Sequence, residues 1–451
     1  MACIETQHFL KALSRRADTS HANLGRRPDA PKTTIGVVKM RQAAILVGIA
    51  AAGLMIPSGV TSVSAMTLRV SATGGSCSDA KFTTVQDAIN AARPRDKVVV
   101  CAGIYDEQLL VDKPLSIRGN SGAVVRPSGM VANTTSLRTG QGIASVVVVT
   151  AKAKLSGLEI DASENDLGCG TADPNLIGVF FRGASGSLKG SKVHGTMLGD
   201  VDLSCDSGAA VLVQGGAGPI NVSVVGNQVF DYQRAGIVVN EVGARAVISA
   251  NMVTGLGPTP AVAQNGIQVG FGGFAKIMKN VVQNNASPST GSCTFDGGNL
   301  VFEAEGGLIA NNTFTGNTAG VFISGSRNRI KKNRLNGLSE GVAAGLDGIL
   351  LIGDTNVLLK NVVNDMSAVG IRVLGSENRV TGNTIVATRA ENLCESARAT
   401  PGCAEVLDVC GVGVWIANGT GNSVTNNTLV QNDMDLLDEG LGTKVRGNKN
   451  L

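Results

Sequence analysis

Aromatic residues are scarce in this chain of 451 residues: they make up 3% of it, with one Trp and two Tyr. Charged residues are also few, at 16%, whereas glycine contributes 59 residues. This composition is unusual for a helical enzyme, but it suits stacked short strands that are joined by glycine-containing corners. The mean hydropathy of +0.16 needs no membrane span to explain it, because stacked strands bury one side of every strand.

The chain also lacks an excess of charge once its first residues are set aside. The formal net charge is +4, but residues 1–65 contain eight Lys or Arg against three Asp or Glu. The remaining residues include 31 basic and 32 acidic ones. A nearly neutral body gives no electrostatic basis for binding nucleic acid, so we expect no nucleic-acid partner.

The N-terminal residues have the pattern of an exported protein. Residues 1–39 are polar, and we interpret them as a non-native or disordered extension. Residues 40–65 contain an early Arg, the mostly apolar run Ala43–Ile56 and a small-residue cleavage site, which together indicate a secretory signal peptide. Translation would then start at Met40. The apolar run is short for a membrane span, and an uncleaved N-terminal anchor is the alternative. We expect residues 66–451 to form one secreted domain, extracellular or periplasmic.

A repeat is visible in the second half of the chain. Segments that begin at Gly320, Gly348 and Gly370 superpose without gaps, and the last two start 22 residues apart. Each segment contains three short runs in which apolar residues alternate, such as Arg379–Thr381 and Thr384–Val386. Alternation with period two indicates strands with one buried face, and a repeat of this length indicates a solenoid. We therefore predict an all-β fold, a right-handed parallel β-helix of about 10–12 coils with three strands per coil.

An Asn recurs at the corner between the second and third strands of the repeat. Asn tolerates the left-handed conformation that a tight corner requires, and its amide can bond to the backbone and to the Asn one coil away. We therefore expect these residues to be structural. They are Asn227, Asn251, Asn280, Asn312, Asn333, Asn361, Asn383, Asn427 and Asn448.

Eight cysteines follow the predicted signal peptide, and no C-x-x-C pair is present. An even number of cysteines in an exported chain favours disulfides over metal ligands. The expected bonds are Cys77–Cys101, Cys169–Cys205, one pair among Cys394, Cys403 and Cys410, and one bond from the remaining member of those three to Cys293.

Residues 83–94 predict an amphipathic helix that covers the open end of the first coil, with Thr83 or Thr84 as its N-cap. A G-x-Y-x-E turn follows at Gly103, Tyr105 and Glu107, and then a K-x-L-x-I-x-G strand. Residues 81–120 thus resemble the opening of pectinesterases and of many pectate-lyase-like β-helix proteins. The later repeats resemble those of secreted bacterial β-helix proteins. The resemblance implies the pectin-lyase fold but little chemistry, because the matching residues occupy corner, core and cap positions.

The motif sets of the enzymes on this fold are largely missing. The Q-A-V, Q-D-T and D-F motifs of pectinesterases are absent, and Arg329-Ile330-Lys331 alone matches the depolymerase set of N-T-D, D-D, G-H-G and R-I-K. That match is typical of an exposed strand. His194, the only histidine after the signal peptide, is more typical of a surface or packing residue than of a catalytic base.

Lyases of acidic polysaccharides need a cation to neutralise the uronate carboxylate and a base to remove a proton. Arg234 and Arg372 lie on or beside strands of the repeat, with Asp231 and Tyr232 nearby, and these four residues are the catalytic candidates. The alternative is that they are solvated edge residues of a binding or structural solenoid, because no basic groove is evident in the charge pattern.

Calcium is the one cofactor that the sequence suggests. Asp200, Asp202, Ser204 and Asp206 alternate in a spacing that suits oxygen ligands, but Cys205 occupies the position where a calcium loop needs Gly. The alternative is a polar insertion with three solvated carboxylates.

One row of residues should point out of the coil from the G-I-x-V strands. Most of the row is apolar, which implies that corner insertions or a ligand cover it. If the row is open, Phe322, Arg372, Trp415 and Gln268 are the expected substrate-binding residues. The row is Phe180, Leu212, Val238, Gln268, Val301, Phe322, Leu350, Arg372 and Trp415, and the insertions lie at 161–176, 197–207, 255–265, 285–298, 336–347 and 387–411.

These patterns favour a secreted protein that binds or processes an extended polysaccharide along the coil axis, by a lyase or hydrolase reaction if it is an enzyme. The alternative is a non-catalytic surface or envelope solenoid that binds glycans or proteins. Insertions that share one corner of a solenoid lie along one side of it, and that side is where binding is expected.

Overall fold

The computed structural model describes residues 65–72, 77–170, 174–198, 207–258, 263–286, 297–339, 342–343, 346–390, 394 and 409–451. The predicted extension 1–39 and nearly all of the predicted signal peptide lie outside these residues. Within them, no helix is long and apolar enough to cross a membrane.

Nearly all of the strands belong to three parallel sheets, which the chain visits in turn. Strands are numbered β1 to β42 in chain order. Sheet 1 contains β1 Thr67–Val70, β2 Lys97–Val100, β5 Leu115–Gly119, β9 Ala153–Ser156, β12 Gly186–Lys189, β15 Ile220–Val225, β18 Ala244–Ser249, β21 Phe274–Met278, β24 Leu308–Ala310, β27 Arg329–Lys331, β32 Val357–Leu359, β35 Arg379–Thr381, β38 Ser423–Thr425 and β41 Lys444–Arg446.

Sheet 2 follows sheet 1 in each coil. It contains β3 Gly103–Tyr105, β6 Ala123–Val125, β10 Glu159–Asp161, β13 Lys192–His194, β16 Gln228–Val229, β19 Met252–Pro258, β22 Val281–Ala286, β25 Thr313–Thr315, β28 Arg334–Asn336, β33 Val362–Asn364, β36 Thr384–Val386, β39 Thr428–Val430 and β42 Lys449–Asn450.

Sheet 3 contains the strands that begin each repeat. They are β4 Leu109–Val111, β8 Gly142–Val149, β11 Asn175–Arg182, β14 Ala209–Gln214, β17 Ala235–Asn240, β20 Asn265–Gly270, β23 Gly297–Phe302, β26 Ala319–Ser324, β31 Asp347–Ile352, β34 Val369–Leu374, β37 Val412–Asn418 and β40 Met434–Asp438. β7 Thr134–Thr135 pairs antiparallel with β8, and β29 Leu338–Ser339 pairs antiparallel with β30 Val342–Ala343.

Successive coils pair residue for residue, so the inward apolar residues form continuous rows. Val321, Ile349, Ile371 and Val414 are register partners from β26 to β37, and all four are fully buried. This is the parallel β-helix that the period-two alternation predicts. Sheet 1 has 14 strands, whereas about 10–12 coils were predicted. Part of the difference is β1, which lies before the segment in which the first coil was predicted.

The corner asparagines form the expected ladder. Asn333 donates from its backbone N and from Nδ2 to Oδ1 of Asn361, at 3.0 Å each, and Asn361 bonds to Asn383 in the same way. The left-handed conformation, however, belongs to the preceding residue: φ is 55° at Lys332 and 54° at Lys360. The asparagines are therefore selected for the ladder and not for left-handed backbone. A second ladder on the opposite edge of sheet 1, Asn328, Asn356, Asn378 and Asn422, was not predicted.

The predicted capping helix is present as α1, Val85–Ala91, with Thr84 as its N-cap. Glu107 accepts hydrogen bonds from the backbone N of Val85 and Gln86, at 2.7 and 2.8 Å. A carboxylate in this position satisfies free amides of the first turn and complements the helix dipole. The Glu of the G-x-Y-x-E turn thus has a structural role.

Two of the expected disulfides are observed. Cys77 bonds to Cys101, and Cys394 bonds to Cys410, which is one of the pairs expected within the last insertion. Cys169 is also disulfide-bonded. The bond from Cys169 to Cys205 and the bond from Cys403 to Cys293 stay predictions, because Cys205, Cys293 and Cys403 lie outside the described part of the chain.

Candidate functional site

Two neighbouring rows of side chains point outward from sheet 3. The first row is Ile177, Ala209, Ala235, Asn265, Gly297, Ala319, Asp347, Val369 and Val412, and the second is Phe180, Leu212, Val238, Gln268, Leu300, Phe322, Leu350, Arg372 and Trp415. The second row is the predicted one with a single correction.

The correction concerns β23, where Leu300 and not Val301 belongs to the outer row. Gln268 and Phe322 both pair with Leu300, and Val301 is a core residue. The error arose because Asn299 occupies the inward position that is apolar in the neighbouring coils. With a polar residue there, the alternation in G-G-N-L-V-F suggested the wrong register.

The first coils of this face are covered by the segment that contains β7. Leu137 donates from its backbone N to Oε1 of Gln214 at 2.9 Å, and Arg182 donates from Nε to the carbonyl of Thr135 at 2.8 Å. Phe180 is fully buried in this region, where it packs with Ile177 and Val238. At this end Phe180 and Val238 of the second row are buried, and Leu212 is half-buried.

The last coils are covered as well, and this changes the interpretation of two predicted binding residues. Arg372 is 5% and Trp415 is 4% exposed. Trp415 packs with Val369, Val412 and Cys394, so the disulfide-linked insertion contacts it. Arg372 and Trp415 cannot present an accessible surface to a ligand in this structure.

The polar groups under this insertion are paired with one another. Arg372 Nη2 lies 3.2 Å from Oδ1 of Asp347, and its guanidinium carbon lies 4.9 Å from the centre of the Trp415 ring. Trp415 donates from Nε1 to Oε2 of Glu439 at 2.9 Å. The arrangement is a buried ion pair with a stacked indole, which stabilises the attachment of the insertion.

Between the two covered ends lie three consecutive coils whose second-row side chains, Gln268, Leu300 and Phe322, are half-buried. We call these three residues the open strip; their first-row neighbours Asn265, Gly297 and Ala319 are buried. The open strip presents a carboxamide, an aliphatic side chain and an aromatic ring on successive coils. Coils are about 4.8 Å apart, so these three side chains span roughly 10 Å along the axis.

One edge of sheet 3 carries a charged cluster beside these coils. Arg138 Nε lies 3.6 Å from Oε1 of Glu241, and the guanidinium carbon lies 4.0 Å above the ring of Phe271. Burial raises the pKa of Glu241, and a hydrogen bond from Gln214 and the charge of Arg138 oppose that shift without cancelling it. The cluster fixes the covering segment to the corner that follows β17.

The catalytic candidates are not brought together on the open strip. Tyr232 is fully buried in the core, where its hydroxyl donates to Oδ1 of Asn285 at 2.6 Å, and burial raises its pKa. Asp231 is exposed at a turn with φ 48°, and Arg234 donates from Nη1 to the carbonyl of Ala263. A fully buried phenol cannot contact a substrate, so the structure gives no support to catalysis by Tyr232.

The remaining predicted positions lie elsewhere. His194 is on sheet 2, stacked on Phe230 with ring centres 4.6 Å apart, and Arg329–Lys331 form β27 of sheet 1. Asp200, Asp202 and Asp206 lie outside the described residues, so calcium binding stays a prediction. Among the residues that the structure does describe, no group of three His, Cys, Asp or Glu could hold a metal ion.

The comparisons with known proteins agree with this architecture. A family model described as a right handed beta helix region matches residues 207–385. The fold is a right-handed parallel β-helix. A double mutant of the periplasmic alginate epimerase AlgG is similar at 14% identity, with 82% of this chain and 83% of that chain covered and a TM-score of 0.51.

A mannuronic acid specific polysaccharide family 6 lyase from human gut microbiota is similar at 14% identity, covering 86% of this chain and 83% of that chain with a TM-score of 0.47. No curated protein matches the chain. At 14% identity the alginate epimerase supports the fold alone, and the site must be argued from this chain's own residues.

Proposed function

We propose that this β-helix binds an extended polysaccharide along the outer face of sheet 3, over the open strip. The observation that carries the proposal is the strip itself: half-buried Gln268, Leu300 and Phe322 follow one another between two covered ends. The outer face of a sheet in water normally carries polar residues, so an apolar row that is not fully covered favours a ligand there.

The side chains of the strip suit a sugar polymer. Phe322 offers a ring on which the apolar face of a sugar can pack, and Gln268 offers both a donor and an acceptor. The parallel stack repeats such groups at a constant spacing, which suits a ligand that is itself a repeat. The alginate epimerase of the same fold is named for a polysaccharide, and this supports the ligand class by analogy without indicating a reaction.

The proposal is for binding and not for a named reaction. Among the described residues, the catalytic candidates are buried, engaged or displaced from the strip. We therefore favour a non-catalytic or weakly catalytic glycan-binding solenoid over a lyase that uses Arg372, which is held by Asp347.

We also propose that the protein works outside the cytoplasm. Cys77–Cys101 and Cys394–Cys410 are disulfides, and Cys169 is bonded too. Such bonds persist in oxidising compartments and are rare in the cytosol. The predicted signal peptide at 40–65 supports the same location.

The test is equilibrium binding of the exported protein to a panel of soluble polysaccharides, by calorimetry or affinity electrophoresis. We expect Phe322→Ala and Gln268→Ala to weaken binding about tenfold or more, since they remove the stacking ring and the hydrogen-bonding amide. Matched controls are Gln228→Ala on sheet 2 and Phe230→Ala just after β16, which should bind as the wild type does. Equal affinities in all four variants, or no affinity for any glycan, would refute the proposal.

A further inference from the structure

The outer face of sheet 1 carries cations and no anions. The strands of sheet 1 contain twelve Lys or Arg and no Asp or Glu. The strands of sheet 2 contain three basic and two acidic residues, and those of sheet 3 contain two basic and three acidic ones. No basic groove is evident in the sequence, because these cations come from coils that are tens of residues apart. The fold collects them on one side of a nearly neutral body.

Four of these cations form a regular row. Register partners along sheet 1 alternate between a basic and an uncharged residue over seven coils, so a cation recurs on every second coil, roughly 10 Å apart. The cations of this basic row are Lys276, Arg329, Arg379 and Lys444, and all four are exposed. The residues between them are Leu308, Val357 and Ser423. Of the ion pairs within the described part of the chain, none involves a cation of the basic row.

Five more cations widen this row into what we call the basic face. Lys331 and Arg446 occupy the next outward positions of β27 and β41. Lys279, Lys332 and Lys360 lie at the corner that leads to sheet 2, each with a φ between 54° and 58°. Lys331 is half-buried and the other four are exposed. The nine cations lie in three parallel lines, so they cover a plane and not a single line.

The nearest carboxylates lie along the opposite edge of sheet 1, at the corner that leads from sheet 3. Glu305 is paired with Arg327, and Asp354 accepts a hydrogen bond from a backbone N at 2.7 Å. Glu303 and Glu377 are exposed there. Four carboxylates at one margin do not balance the nine cations of the basic face.

This distribution of charge brings no benefit to the fold. Like charges on neighbouring strands repel one another, and an opposite charge on the next strand is the stabilising arrangement. In the basic row, uncharged residues separate the cations and no carboxylate is placed between them. A face with one sign of charge attracts partners of the other sign, so the basic face indicates an anionic partner.

The basic face is also without walls. Two residues separate β27 from β28, β32 from β33 and β35 from β36, and four residues separate each of these sheet 1 strands from the preceding strand of sheet 3. Such short corners form no rim that could enclose a single polymer chain. Leu308, Val357 and Leu359 are half-buried between the cations, so aliphatic surface lies within the same plane.

We propose that the basic face docks the protein on an anionic lipid surface, with the coil axis lying along that surface. Cations in three parallel lines match a plane of phosphate-bearing headgroups, and the aliphatic side chains between them can contact the interface. Each Lys or Arg close to such a surface strengthens binding about fivefold. The open strip is on another sheet, so this inference is independent of the proposed glycan binding.

The experiment measures sedimentation of the full chain with lipid vesicles. Vesicles of phosphatidylcholine alone are compared with vesicles that contain about 30% phosphatidylglycerol, in about 0.02 M and about 0.5 M NaCl. We expect binding to the anionic vesicles at low salt and its loss at high salt. The absence of binding at low salt, or equal binding to both kinds of vesicle, would overturn the proposal.

Neutralising the basic row tests whether this face makes the contact. Arg329→Gln with Arg379→Gln should weaken binding to the anionic vesicles about tenfold or more. Gln228→Glu with Asn364→Asp changes the net charge by the same amount on sheet 2, and should bind within about twofold of the wild type at about 0.1 M NaCl, where distant charges are screened. An equal loss in both double variants, or no loss in the first, would refute docking through sheet 1.

A variant that adds charge gives a result in the opposite direction. Val357→Lys places a cation in the basic row and should strengthen vesicle binding about fivefold, whereas Thr384→Lys on sheet 2 should not. Soluble dextran sulfate and double-stranded DNA serve as polymeric anions. Retention by either of them without any binding to anionic vesicles would assign the basic face to a polymer and overturn the lipid surface.

Discussion

Asn299 is the residue whose chemistry fits its surroundings least. It lies in a core row between Ile267 and Val321, is fully buried, and has no hydrogen-bond partner for Oδ1 or Nδ2 among the described residues. The ladder asparagines, by contrast, each satisfy both amide atoms. The same residue type therefore stabilises one row of this fold and destabilises another.

We expect Asn299→Val to raise the free energy of unfolding by about 1–3 kcal/mol, because an unpaired buried amide is replaced by the side chain that its row prefers. Asn333→Val is the matched control and should lower the free energy of unfolding, since it breaks the ladder on both sides. Denaturant unfolding of the two variants measures both effects. A loss of stability in Asn299→Val would mean that water inside the coil satisfies this amide.

At the scale of elements, the last insertion is held to sheet 3 by an ion pair as well as by a disulfide. Asp347 is fully buried and faces Arg372. Breaking a buried pair from one side leaves an uncompensated charge. Arg372→Ala should therefore lower the free energy of unfolding by about 3 kcal/mol or more, and not act as a clean binding mutation.

The measurement is thermal and denaturant unfolding, with the double variant Arg372→Ala, Asp347→Ala as its comparison. Removing both charges should restore part of the stability. If Arg372→Ala has wild-type stability but binds glycan more weakly, Arg372 belongs to the binding site and the structural role is contradicted.

Sheet 2 carries a surface charge network that should make stability depend on pH. Burial alone would raise the pKa of Glu159, but hydrogen bonds and charge from Lys192 and His194 hold it below its ordinary value. His194 also faces Asp161, with Nδ1 3.6 Å from Oδ1. A carboxyl whose pKa is lowered on folding stabilises the fold above its ordinary pKa, and this contribution is lost as pH falls through the lowered value.

Glu159→Gln should therefore lower the melting temperature at about pH 6 to 7 and approach the wild type below about pH 4. Exposed Glu377 supplies the control variant Glu377→Gln, for which we expect a smaller pH-dependent difference. A gap between wild type and Glu159→Gln that widens on acidification would show that the network does not act through this carboxylate.

For the whole molecule, the fold was predictable because its signals are local. Alternating residues and one Asn per corner repeat within a few tens of residues, and they indicate strands, corners and stacking order. The site was predictable only in part. Val301 was predicted to point outward because the polar Asn299 occupies an inward position that is apolar in the neighbouring coils. The left-handed conformation was expected at the corner asparagines, but it occurs at the residues that precede them.

What covers the face could not be deduced, since covering depends on contacts between distant segments. Leu137 bonds to Gln214, and the insertion that contains Cys394 packs on Trp415. No periodicity in the sequence records such contacts. Arg372 and Trp415 therefore appeared as surface residues, whereas Gln268 and Phe322 are the half-buried members of the predicted set.

The most direct test of the central claim is a crystal structure of the protein with a bound oligosaccharide. We predict density for sugar rings over Gln268, Leu300 and Phe322. Sugar bound on sheet 1 or sheet 2, or at Arg372 and Trp415 after displacement of the last insertion, would contradict the account.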